Sequence, residues 1–232
     1  MDAFLTPEFW LAVGQIVMID ILLGGDNAVV IALACRNLPQ ELRRKGILWG
    51  TAGAIVLRIV LIFFAMSLLA LPYLKLVGAA LLLWIGVKLL MPDDDNHDNI
   101  KASDKLLSAV KTIIVADFVM SVDNVIGIAG AAQGSGHEGH QMPLVIFGLL
   151  VSVPIIVWGS TLVLKLMDRF PLIITVGGML LGWIAGTLAV SDPAVTAHLV
   201  ETEVIRYGAG AAGALLVLGL GTLLTRKHRP ST

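Results

Sequence analysis

Apolar stretches recur along this chain at nearly even intervals, each closed by a proline or a polar cluster. Seven can be marked: Trp10 to Ala34, Ile47 to Leu69, Leu74 to Leu90, Leu106 to Ala132, Leu144 to Leu164, Leu172 to Val190, and Ile205 to Leu224. Each approaches the ~20 residues that a spanning helix needs, the third being short. Pro39, Pro72, Pro92 with the polar run Asp93 to Asn99, the Gly- and His-rich run 134–140, Pro171 and Asp192-Pro193 separate them. The pattern predicts an all-α polytopic membrane protein, one transmembrane domain over 1–232, with seven transmembrane helices.

Composition agrees. Hydrophobic residues make up 57% of the 232 and charged residues 14%, with a mean hydropathy of +0.89. That is too apolar for a soluble core of this size. The single cysteine, Cys35, excludes an internal disulfide framework and a multi-cysteine metal site. No GxxxxGK[ST] phosphate loop occurs, so ATP-driven pumping is not expected, and the net charge of −1 points to no nucleic acid partner. The start of the chain lacks the basic residues of a secretory signal, and the first apolar stretch reads as a retained helix.

Charge placement sets an orientation. With the N-terminus outside and the C-terminus cytoplasmic, thirteen Lys and Arg fall on the cytoplasmic side and two, Lys75 and Arg206, outside. This is a strong positive-inside bias. Arg58 is left within the membrane.

The polar positions inside the apolar stretches carry the chemistry. Asp20, Asp26 and Asn27 in the first stretch, and Asp117, Asp123 and Asn124 in the fourth, both read Asp-x5-Asp-Asn, 97 positions apart. Pro72, Val77, Gly78 and Trp84 recur as Pro171, Val176, Gly177 and Trp183, 99 positions on. The repeating unit is three helices. Because three is odd, the units, 8–90 and 106–190, would cross the membrane in opposite senses, a 3+3 inverted-topology repeat with its site at the midplane. A cytoplasmic acidic loop, 91–105, joins them, and the last helix, 205–225, is an extra C-terminal one.

All six motif side chains offer oxygen, which suits hard divalent cations such as Mn²⁺, Mg²⁺ or Ca²⁺; zinc and copper favour the His and Cys that these stretches lack. Four carboxylates overcompensate a divalent ion, so protons or Arg58 must supply charge compensation, and a proton-sharing site is a route to metal/proton exchange. Residues six apart lie about 240° round a regular helix, so convergence of all three groups calls for a helix break. Gly24, Gly25 and Ser121 are its candidates. The plain alternative, acids that merely cap helix breaks and bind each other, is disfavoured by four of them at membrane depth. Met18 and Met120 are accessory candidates as soft donors, although packing is the better reading of a membrane methionine. His137, Glu138 and His140, and the acids between Asp93 and Asp98, read as solvated loops. The glycines at 178, 182, 186, 208, 210 and 213 let helices approach, within the chain or at a homodimer face.

The paired Gly-Gly-Asp-Asn-Ala and Ser-Val-Asp-Asn-Val segments resemble those of the TerC family of integral membrane proteins, in its short YjbE-type branch. The resemblance covers roughly residues 8 to 225. It implies a manganese exporter within a wider superfamily of LysE-like exporters, with the acidic motif on Asp20, Asp26, Asn27, Asp117, Asp123 and Asn124. The function expected is therefore secondary export of divalent metal, Mn²⁺ foremost, and no enzyme activity. Two other readings stand beside it. One is a membrane assembly factor supplying metal to exported proteins. The other is an intramembrane aspartyl protease, whose Gly-x-Gly-Asp pattern fails at Leu23.

Overall fold

The computed structural model describes the backbone of residues 7–69, 71–91, 102–133, 141–200 and 202–227. Within these it describes all side chains except those of 7–9, 12, 16, 19–24, 65–69, 123–133, 141–145, 226 and 227. Every described element is a helix: α1 Pro7–Cys35, α2 Gln40–Leu69, α3 Leu74–Leu90, α4 Ala102–Gln133, α5 Gln141–Arg169, α6 Leu172–Val190, α7 Pro193–Thr196 and α8 Glu203–Lys227. The α3 and α6 bounds coincide with the apolar stretches. The others extend past them into polar residues, because a helix at the membrane edge can keep its ladder in water.

Among the described residues, four helical stretches are long and apolar enough to cross a bilayer: Gln40–Phe64, Ile146–Arg169, Leu172–Val190 and Glu203–Thr225. Gly25–Cys35 is a shorter apolar run. At 17 residues, α3 is about 25 Å long, shorter than a hydrocarbon core of about 30 Å.

The outer faces of these helices are apolar, and a few polar and charged groups lie buried within an apolar interior. On α2, Ile47, Thr51, Ala54, Arg58 and Leu61 form a buried stripe at helical spacing, while Trp49, Val56, Phe63 and Phe64 are exposed. Trp158 on α5, Leu172 on α6 and Leu223 on α8 are exposed as well. Lipid explains such faces. The chain is an integral membrane protein of several helices in contact with a lipid bilayer.

Packing divides the helices into two groups. In one, α1 lies along α5 and α4, and α2 lies along α4 and α5. In the other, α6 lies between α3 and α8, and α3 also touches α4 and α8. The main apolar core runs through both, from Leu33 and Ile113 to Leu82, Leu181 and Leu188.

Glycine makes the α6–α8 contact close. A methyl group built on Gly182 would strike the backbone carbonyl of Gly213, and one on Gly186 that of Ala209. Gly213 meets the Gly182 carbonyl in return. The small-residue stripe of α6 is thus filled by α8 of the same chain.

The turns are built from specific caps. Arg43 donates from Nη2 to the Arg36 carbonyl (2.8 Å), from Nε to that of Leu38 (3.2 Å) and from Nη1 to Asp168 (2.7 Å), bracing the α1–α2 turn against α5. Arg36 reaches the Met91 carbonyl at 3.1 Å, just past α3. Cys35, entirely buried, sits at the end of α1 beneath Gly46.

Asp192 does the most. Its carboxylate accepts from the backbone N–H of Tyr73 (3.0 Å), Lys75 (3.0 Å) and Leu76 (3.2 Å) at the start of α3, and of Ala194 (2.8 Å) in α7. It caps two helices at once, one of them far away in sequence. Burial opposes its charge, but the four N–H donors outweigh burial and hold the carboxyl below its ordinary value. The turn before α3 needs that support, because Tyr73 takes a left-handed conformation (φ 69°) that a residue with a side chain adopts at a cost.

Candidate cation site

Three helices of the first group bring the described polar groups together. From α2, the Arg58 guanidinium donates to Asp117 on α4, Nη2 to Oδ1 at 2.6 Å, and from Nε to the Ser121 hydroxyl at 3.0 Å. The Ser121 hydroxyl donates in turn to Oδ2 of Asp117 at 3.1 Å. The three side chains close a ring. Arg58 is 3% exposed and Asp117 6%, so the ion pair is out of reach of water, and its mutual attraction and hydrogen bonds must offset the loss of hydration.

From α1 come Asp26 and Asn27. Asp26 is close enough for its charge to interact with those of Asp117 and Arg58. Asn27 is 4% exposed, and neither its Oδ1 nor its Nδ2 has a hydrogen-bond partner; the same holds for Oδ1 of Asp26. Unbonded amides and carboxylates inside a bundle are uncommon, because each forfeits its bonds to water. Thr51, seven residues before Arg58 on the same face of α2, adds a buried hydroxyl without a partner. Other buried hydroxyls bond back to their own helix, as Ser152 does to Leu149 and Ser160 to Ile156.

The side chains of Asp20, Asp123 and Asn124 lie outside the described residues, as do residues 93–98 and 137–140. Among the described residues no three of His, Cys, Asp and Glu converge. The described part of the six-residue motif is Asp26, Asn27 and Asp117.

Two expectations are corrected. The helix break at Gly24, Gly25 and Ser121 is not found: α1 is helical through both glycines and α4 through Ser121. In an apolar medium a freed backbone N–H has nothing else to bond, which outweighs the poor helix propensity of glycine. Ser121 spends its hydroxyl on Asp117 and leaves the ladder intact. The second correction concerns Met18, which is 62% exposed and no donor to this site. Nine residues from Asn27, it lies half a turn round α1. Met120 is buried in the apolar core.

Thr51 and Asp192 went unread in the sequence. A threonine in an apolar stretch ordinarily bonds its own helix, so nothing marked Thr51. The Asp-Pro pair at 192 and 193 signals a helix start, but not its distant hold on α3.

Apolar outer faces around an interior of carboxylates, an amide and a paired guanidinium define a polytopic helical membrane protein with a charged internal site. The chain belongs to the TerC family: the family model described as "Integral membrane protein TerC family" matches residues 5–229. The uncharacterized membrane protein YjbE of Bacillus subtilis (strain 168) is 41% identical over 194 residues, 84% of this chain and 86% of that protein. The uncharacterized membrane protein YkoY of the same organism is 27% identical over 82% of this chain and 62% of its own length. The inner membrane protein YgdQ of Escherichia coli (strain K12) is 22% identical over 71% of this chain and 74% of its own length. No solved structure matches.

Proposed function

We propose that this chain is a secondary transporter that exports divalent metal cations, Mn²⁺ foremost, through a midplane site formed by the two Asp-x5-Asp-Asn motifs. The observation that carries the reading is Asn27: an amide buried with both ends unbonded, next in sequence to Asp26, whose charge interacts with those of Asp117 and its partner Arg58. Leaving such groups unbonded costs about 1–3 kcal/mol each. A ligand that accepts oxygen donors offsets that cost, and a hard divalent cation is the species that carboxylate and amide oxygens suit.

The transport cycle is alternating access of two inverted three-helix repeats, within seven spans. The helix pairings support this reading: exchanging α1 with α4, α2 with α5 and α3 with α6 turns the α1–α5 contact into the α4–α2 contact and leaves α1–α4, α2–α5 and α3–α6 unchanged. A two-fold relation has that signature. Charge placement supports an N-outside, C-inside orientation, and the description of YgdQ as an inner membrane protein supports the bacterial inner membrane.

The test is Mn²⁺ flux in liposomes holding the purified chain, with Ca²⁺ and Mg²⁺ as competitors. Wild-type flux that Asp26→Asn and Asp123→Asn both abolish is the expected result. Measurable Mn²⁺ binding without flux, with and without a pH gradient, would reject transport by this chain.

A further inference from the structure

The described groups of the site, Asp26, Asn27 and Asp117, are engaged differently, and they stand at different positions of the motif. On α1, Asp26 and Asn27 hold unbonded oxygens, whereas on α4 both oxygens of Asp117 are engaged, Oδ1 by Arg58 and Oδ2 by Ser121. The corresponding region of the second half, around Pro154 and Ile156 on α5, brings no cation. The guanidinium is therefore a one-sided device.

We propose that Arg58 is a tethered counter-cation, which occupies Asp117 while the carrier returns without cargo and yields Asp117 when a divalent cation binds; this rests on the transporter reading above. A divalent ion ligated by Asp117 would stand one carboxylate away from the guanidinium. In surroundings of low polarity two positive charges at that range repel strongly, so the ion and Arg58 compete for the same acid. Arg58 cannot resolve the conflict by losing its proton, since a guanidinium stays charged in proteins. Nor can it leave for water from a position 3% exposed on the inner face of α2. What remains is a short movement of the side chain. Ser121 suits the hand-over, because it donates to Asp117 and accepts from Arg58, keeping the acid oriented after the guanidinium withdraws. On the empty return, the same guanidinium keeps Asp117 from standing in the interior as an uncompensated charge.

Arg58 is thus a positioning residue whose effect separates two kinds of flux. Exchange of Mn²⁺ for Mn²⁺, with cargo on both sides, never needs the empty return; net efflux does. Arg58→Met is expected to lower net efflux about tenfold or more beyond whatever it does to exchange, the factor that each 1.4 kcal/mol on the return barrier gives. Its Mn²⁺ affinity, measured by equilibrium dialysis in detergent, is expected to rise, since a competitor is gone. Loss of both fluxes in equal measure from a monodisperse variant, or no change in net efflux, would overturn the proposal while the wild-type flux upholds the transporter. A wild type with neither flux defeats the transporter reading itself. Should Arg58→Met not fold, isotope-edited infrared difference spectra of the native protein labelled at arginine decide. A guanidinium band that shifts on adding Mn²⁺, and not in Asp117→Asn, supports the exchange of partners, and an unmoved band overturns it.

Discussion

Asn27 and Asp117 are both buried polar residues of the site, yet they stand in opposite relations to stability. Asn27 has no partner to lose, so Asn27→Leu removes a desolvation cost and is expected to leave thermal stability equal or higher by about 1 kcal/mol, while Mn²⁺ binding falls. A clear drop in melting temperature would show that the amide is structural. Asp117→Asn instead removes the carboxylate that the buried Arg58 guanidinium meets at 2.6 Å, and breaking such a buried pair costs about 3–5 kcal/mol. The double variant Arg58→Met/Asp117→Asn is expected to recover most of that loss in a thermal unfolding assay. Sequence alone identified both residues as site candidates because charge and amide are conspicuous in an apolar stretch. It could not separate them, since which acid meets Arg58 depends on how α2 lies against α4, and spacing along one helix says nothing of that.

Helices are held to one another by two devices. Asp192 ties the start of α3 to the end of α6, and its folded-state carboxyl lies below the ordinary value of about 3.9. A lowered value in the folded state means stability that is present above the unfolded value and lost as pH falls through the folded one. Asp192→Asn is therefore expected to cost about 2 kcal/mol at neutral pH, the upper end for loss of a cap. Measured by melting at stepped pH, the gap from wild type should stay level down to about pH 5 and close below about pH 4. Glycine supplies the second device. Gly182→Val is expected to push α8 off α6 and destabilise by about 1–3 kcal/mol, whereas the same change at Gly208, where a methyl meets nothing within 4 Å, should be nearly silent. The existence of these helices was legible from hydropathy, and α3 and α6 coincide with their apolar stretches at both ends. Their continuity was not, because Gly24-Gly25 signals weakness in water and loses that meaning where the backbone has no other partner.

Among the described residues, the molecule turns apolar faces outward along its helices and keeps Arg58 and Asp117 buried between them. Single changes that neutralise either motif are therefore expected to be non-additive: Asp26→Asn, Asp123→Asn and the pair together should reduce Mn²⁺ flux to the same floor, as groups acting as one unit do. Independent, multiplying losses would point to two separate sites. The recurring Asp-x5-Asp-Asn and Pro, Val, Gly and Trp positions are what made a three-helix repeat an expectation of the sequence, but hydropathy is blind to α7, four residues of polar-edge turn. Finally, the enclosure of Cys35 beneath Gly46 gives this protein a built-in clock. Its single thiol is sealed in the native fold, so a maleimide that fluoresces on reaction should stay dark until the α1–α2 end opens. Wild type and every variant named above can then be melted against the same natural reporter, with no engineered label.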